Sequence, residues 1–457
     1  MAFVYTPLDH DKHEIRLLKI DPCYDGGESL IRLRLMTADL SMGPQYTALS
    51  YTWGDEHPRF DIAIVESASG KTGTFQVRSN LHAFLKHARE TAAAHADRTL
   101  FWIDQICINQ ADGAEKTHQV HRMSDIYRQA VEVQVWLDAG VPERVHLGAL
   151  FQEGWPSILR RKAEEGIHLQ LLASKDFGDD VDEQSTERIA FCDLIDMPSG
   201  EQVYEAVNRL LLQFVAEIDA VLTFRYWTRL WIIQELCLAG SCFVWIGGYK
   251  IDWTNFSLQM VRISKRDIGL SSAARDKGLL SIGTFMGRLK PFSLNEGCTW
   301  IFATVLSDQF QCHLPIDNIH GLLAIVHPAV RVVPDYRKSS KDVVFDIMRR
   351  EVAHQQDRGG VSEYGDIVTF VGTTLQWWKT VHQTDTIQHA ELLAFLKTEI
   401  VGTCRDHLKK SGIWIPPAFV DDTMLWAYVP KQDSARWRRT MGRIWGGGHY
   451  REWGARK

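Results

Sequence analysis

The chain contains no run of about 18 uncharged apolar residues, the length a membrane-spanning helix needs. Met1 to Asp11 lacks a basic stretch followed by an apolar one, so no secretory leader is expected and a cytoplasmic location is. Its eight cysteines stand singly, without a Cys-x-x-Cys pair, which argues against a zinc ribbon or a disulfide framework. They are expected to be reduced core thiols. There is no excess of positive charge either: 51 basic residues against 57 acidic ones give a net charge of −6, and no basic stripe occurs. Nucleic acid and anionic membrane surfaces are therefore not expected partners. Internal repeats and a Gly-x-Ser-x-Gly nucleophile elbow are also missing.

Two motifs fail on inspection. Ser69-Gly70-Lys71-Thr72 imitates the end of a phosphate-binding loop, but the first glycine of that loop would fall on Val65, and Gly73 to Val77 has the pattern of a strand where a helix must begin. His118 and His121 are three apart, yet spacing supplies no third ligand, so solvated helix histidines are expected and no metal site.

What the chain does have is aromatic density around one acid. Phe224 to Gly240 places Glu235 alone inside an almost continuous apolar and aromatic segment. If that segment is one helix, Trp227, Trp231 and Glu235 are four apart and share a face. Burial disfavours the charged form of such a carboxylate and raises its pKa. Two roles remain open for it: an acid, base or nucleophile held ready, or a structural Glu paired with a buried Arg.

Alternating apolar segments mark short strands at His13 to Ile20, Ser29 to Met36, Tyr46 to Tyr51, Phe60 to Val65, Thr74 to Val77, Leu100 to Ile103, Val131 to Leu137 and Cys242 to Ile246. Helical periodicity marks Leu81 to Ala96, with Asn80 as its expected cap, and Ala111 to Ala130. Strands alternating with helices predict an α/β fold, a parallel sheet with crossover helices. Ligands of such sheets bind beyond the carboxyl ends of the strands. That rule makes Trp53, Gly54 and Asp55 after one strand, and Asp104, Asn109 and Gln110 after another, candidate lips of a site. The expected organisation is a strand pair in residues 1–40, a domain in 41–250 with a mobile acidic insertion at 154–200, and a mostly α-helical region in 251–457. In that last region Trp253 to Lys265, Glu296 to Ser307 and Ser339 to His354 are the best helical segments.

Three segments together resemble the fungal heterokaryon incompatibility (HET) domain family: Tyr46 to Asp55 (YTALSYTWGD), Leu100 to Gln110 (LFWIDQICINQ) continuing through Glu115 to Leu137, and Tyr226 to Ala239 (YWTRLWIIQELCLA). A fainter echo lies at Leu314 to Ile325 and Val333 to Lys338. Gln105, Lys116, Ile316 and His320 depart from the family's usual residues. The resemblance implies a role in nonself recognition and programmed cell death, and a domain similar to TIR domains, which are flavodoxin-like. It maps the glutamate of NAD-cleaving TIR members onto Glu235, within Trp231 to Leu236. It further implies Trp53 or Trp231 stacking on the substrate, Asp55 or Asp104 holding ribose hydroxyls, and no cofactor beyond NAD as substrate. Self-association and an upstream recognition protein are the partners it implies.

The chemistry suits a single carboxylate. Cleaving the nicotinamide glycosidic bond expels a neutral group from a cationic precursor, so the second carboxylate of ordinary glycosidases is not needed. The rival class is a non-enzymatic death or recognition module acting through assembly. What separates the two is whether Glu235 lies open beside Asp55 and Asp104 or is closed off by an arginine such as Arg225 or Arg229. Glu235→Ala is expected from sequence to stay folded and lose toxicity.

Overall fold

The computed structural model describes residues 1–22, 30–57, 59–95, 99–137, 215–264, 269–275, 300, 303 and 310–357. The expected insertion at 154–200, most of Glu296 to Ser307 and everything past 357 lie outside them. The chain forms two compact units, Met1–Arg288 and Leu289–Lys457.

The first unit is built on one nine-stranded sheet: β1 (Glu14–Ile20), β2 (Arg32–Asp39), β3 (Thr47–Tyr51), β4 (Arg59–Glu66), β5 (Thr72–Arg78), β6 (Phe101–Trp102), β7 (Glu132–Trp136), β8 (Cys242–Ile246) and β9 (Tyr249–Asp252). Its spatial order is β5-β4-β2-β1-β6-β3-β7-β8-β9. β6, β3, β7 and β8 run parallel to one another, whereas β1 pairs antiparallel with β2 and β6, and β9 antiparallel with β8. The sheet is therefore mixed, with a parallel centre, rather than parallel throughout. The N-terminal strand pair is part of this same sheet.

All five residues of β3 are buried, as expected for a central strand covered on both faces. Helices α1 (Ser79–His95) and α3 (Gly113–Gln129) supply the covers. Consecutive strand residues point to opposite faces. Phe101 meets Phe84 of α1 at 5.6 Å between ring centroids, and its neighbour Trp102 meets Tyr127 of α3 at 5.5 Å, so the two helices lie on opposite sides. The Tyr127 hydroxyl donates to Leu49 O (3.2 Å) and that of Tyr46 to Ile126 O (2.6 Å), tying α3 to β3.

The segment Arg225–Thr228 is a 3₁₀ turn and helix α4 spans only Ile232–Cys237, so Phe224 to Gly240 is not one helix. Trp227 accordingly does not share the face of Glu235. It is fully buried, its indole N–H donates to Val221 O (2.7 Å), and its ring stacks on Phe256 of helix α5 (Trp253–Ser264) at 5.9 Å. Asn80 is not a cap: α1 begins one residue earlier, and the Asn80 amide donates to Thr52 O (2.7 Å). β9 was not expected, although Gly247 and Gly248, at φ +57° and +80°, form the two-residue turn that such a hairpin requires. Gly70, at φ +68°, turns β4 into β5, and no helix follows it.

Residues 1–3 seal the outer side of β5, with Phe3 N–H donating to Thr74 O (2.9 Å) and Thr74 N–H to Met1 O (2.8 Å). Gly73 allows that approach: a Cβ there would stand 2.4 Å from Phe3 Cα. Gly73→Ala is expected to expel the N-terminal segment and to cost about 1–3 kcal/mol, the usual range for overpacking. Hydrogen exchange at Thr74 checks this, and unchanged protection would refute it.

In the second unit the two weaker sequence segments meet. The Tyr336 hydroxyl donates to Asp317 Oδ1 (2.8 Å), and His320 packs edge-on against Tyr336 at 4.9 Å. Burial pulls the His320 imidazole down to about 4, so it is neutral at ordinary pH. Helix α6, Ser340–Asp357, follows.

Candidate functional site

Ser50 is the polar side chain of the inner strand β3 that shares a face with Ala48 and hence with Trp102, the face covered by α3 and α4. Its hydroxyl donates to Glu235 Oε2 and shares a hydrogen bond of 2.6 Å with the Tyr226 hydroxyl. Arg229 grips the same carboxylate with two nitrogens, Nη1 to Oε2 at 3.2 Å and Nη2 to Oε1 at 3.1 Å. Glu235 is 1% exposed, while the Arg229 side chain retains 19%. The question posed by the sequence is thus answered in one conformation: Arg229, not the exposed Arg225, closes Glu235 off.

Asp104 lies beyond the carboxyl end of β6, at the start of the short helix α2 (Asp104–Cys107). It accepts from the Trp53 indole N–H (2.8 Å) and from Gln105 N–H (2.7 Å). Burial pushes its carboxyl up to about 6, with Arg229 lowering it and Glu235 raising it. For Arg229, burial pulls the guanidinium down, but the charges of Glu235 and Asp104 outweigh it and hold its pKa above the ordinary value. One cation therefore serves two carboxylates at the carboxyl ends of adjacent parallel strands. Buried Tyr51 and Tyr226 are pushed well up by desolvation and remain neutral donors.

A carboxyl raised in the folded state favours its protonated form there, so its cost to stability is absent below about pH 4, grows to about pH 6 and is then constant. From the ordinary value to about 6 this amounts to at most about 3 kcal/mol, less because Asp104 is partly exposed. Asp104→Asn is expected to remove that loss between pH 4 and 6. Urea midpoints measured across that range for both forms check it, and parallel curves would refute it.

The other sequence candidates divide. Trp53 joins the cluster through Asp104, and Gln110 supports it, donating to Asp104 O (3.0 Å). Gly54, at φ +73°, shapes the lip, and its carbonyl accepts from Arg78. Trp231 is half-buried and immediately precedes α4; its carbonyl accepts from Glu235 N–H. Asn109 is a turn residue whose side chain accepts from Ala111 N–H (3.3 Å). Asp55 is exposed, and no described contact joins it to Glu235 or Asp104. Ser50 and Tyr226 were not singled out from sequence. A small hydroxyl residue between the larger Leu49 and Tyr51 of a wholly buried strand was the available signal for Ser50.

His118 accepts from Arg122 (3.2 Å) and stacks on His10 at 4.7 Å, while His121 is exposed. Among the described residues no group of three or more His, Cys, Asp or Glu is arranged to hold a metal ion, and no helix is long and apolar enough to cross a membrane.

This arrangement falls inside a matched region: residues 46–235 match the family model described as Heterokaryon incompatibility protein (HET). Among curated proteins it is similar to the heterokaryon incompatibility protein 6, OR allele, of Neurospora crassa, at 31% identity over 247 residues, 52% of this chain and 33% of that protein. The chain thus matches about a third of that relative's length. No solved structure matches. The matched region begins at Tyr46, just before β3, and ends on Glu235, so it encloses the cluster from Ser50 to Glu235.

Proposed function

We propose that this chain is a nonself-recognition effector of programmed cell death, and that the Ser50, Asp104, Tyr226, Arg229 and Glu235 cluster is a TIR-like NAD-cleaving centre in its shut form. The observation that carries this reading is the position of the cluster. Three ionisable groups are gathered at the carboxyl edge of a parallel β-sheet core, where ligands of α/β sheets bind. Well-packed apolar residues commonly match or exceed a buried ion pair in stability, so stability alone gives no reason to put charges there. The order of the parallel strands supports the TIR-like, flavodoxin-like comparison. β6-β3-β7-β8 are second, first, third and fourth in chain order, as in the flavodoxin-like winding.

In the proposed reaction the bond between ribose C1′ and the nicotinamide nitrogen breaks, and its electron pair leaves with neutral nicotinamide. Water adds to C1′ and gives its proton to solvent, leaving ADP-ribose. Glu235 stabilises the positive charge that develops on the ribose. Arg229 neutralises that carboxylate where it stands, so the reading requires the guanidinium to withdraw, which self-association would bring about.

The pairing of Glu235 with Arg229 also favours the second reading, an assembly module in which the carboxylate is structural. Nicotinamide release by purified protein at high concentration decides between them. Release by wild type and not by Glu235→Gln is the expected result. No release from either, with toxicity retained in cells, would leave the assembly module.

A further inference from the structure

We propose that the lip formed by Arg78, Asn80 and Trp53 is a ribose-phosphate site that takes ribonucleotides. Arg78 ends β5 and α1 begins at the next residue, so its guanidinium stands at a helix N-terminus. It lies over the Trp53 ring at 5.4 Å and donates to Gly54 O at 2.8 Å. Its nearest carboxylate, Glu56, is 71% exposed and 3.7 Å away, a contact weak enough for an anion to displace. A helix N-terminus carries partial positive charge, which adds to that of the Arg78 guanidinium beside it.

Asn80 adds an independent requirement. Its Nδ2 donates to Thr52 O at 2.7 Å and to Thr52 Oγ1 at 3.1 Å. A carbonyl only accepts, so the orientation of the amide is fixed. Oδ1 is left buried without a hydrogen-bond partner, on a side chain that is 7% exposed. A hydroxyl donor on a bound ligand would satisfy it. A phosphate for Arg78 and a hydroxyl for Asn80 occur together in the sugar phosphate of a ribonucleotide. Trp53 also donates to Asp104, which connects this lip to the cluster. Its use as the phosphate end of an NAD site rests on the reading above, whereas nucleotide binding stands without it.

Titration calorimetry of the full chain with ADP, 2′,3′-dideoxy-ADP and inorganic phosphate tests the proposal. ADP is expected to bind at least about tenfold more tightly than either of the others, and Arg78→Gln to weaken ADP by a similar factor. Equal affinity for ADP and its dideoxy form overturns the proposal, as does an Arg78→Gln variant that binds ADP normally. The comparison between ligands needs no substitution and holds if Arg78→Gln fails to fold. Arg78-dependent ADP binding without nicotinamide release would sustain this site and remove the enzymatic reading. Nicotinamide release without ADP binding would do the reverse.

Discussion

Arg229→Met is expected to lower the stability of the first unit by about 3–5 kcal/mol, the range for removing one member of a buried ion pair. The methionine fills much of the volume but leaves Glu235, 1% exposed, with Ser50 as its remaining side-chain partner in the pair's place. Glu235→Gln is expected to cost less. The Gln side chain keeps an acceptor for Ser50, and the guanidinium, 19% exposed, still faces Asp104 and water. Urea denaturation at pH 7 of both single variants and the double variant measures the difference and the coupling between them. A loss below about 1 kcal/mol for Arg229→Met would show that the pair is not held as described. The same geometry revises the expectation for Glu235→Ala: truncation leaves Ser50 and Arg229 without their acceptor and opens a hole, so Gln is the cleaner probe of chemistry.

Glu115→Ala is expected to be as damaging, again by about 3–5 kcal/mol, and for a reason outside the cluster. Arg16 and Glu115 form a second bidentate pair at 2.6 and 2.9 Å, both side chains almost wholly buried. Arg16 also donates to Cys107 O (3.1 Å) and Thr6 O (2.8 Å), with the Tyr5 ring 4.7 Å from the guanidinium. Glu115 in turn accepts from Asn109 N–H (2.7 Å). The pair therefore clamps β1, the N-terminal segment and the turn after α2 to one point. Losing it should free the turn that carries Gln110, and with it one support of Asp104. Faster exchange at the Asn109 amide, beside the fall in stability, is the expected signature. Unchanged exchange would limit the role of Glu115 to its own ion pair.

Much of the sheet was legible because its strands alternate or are wholly apolar, and because Pro, Gly and Asp punctuate them. β3, β4, β5, β7 and β8 fall within a residue or two of the segments marked from sequence. The errors have physical causes. The stripe of Trp227, Trp231 and Glu235 presumed one helix, but a 3₁₀ turn and a break precede α4, and periodicity does not reveal a break between two apolar segments. Asn80 has the composition of a cap, yet its amide is engaged by Thr52, a contact across 28 residues that no local pattern encodes. Arg229 was one of two arginines considered for Glu235. Choosing between them needed the backbone path, since six residues and a change of helix type separate the partners. The antiparallel edge strand β9 was the avoidable omission, because Gly-Gly between apolar segments is a hairpin signal.

The Ser50 to Glu235 hydrogen bond joins residues 185 positions apart. During synthesis at about 5–20 residues per second, the serine leaves the ribosome roughly 10–40 seconds before the glutamate does. Through that interval β3 exists without the carboxylate, the guanidinium or the tyrosine that gather around its Ser50 hydroxyl. A product cut short anywhere before residue 235 lacks the carboxylate that Ser50 and Arg229 hold. On the function proposed above, synthesis past residue 235 would then be the earliest safeguard, placed in time rather than in a binding partner.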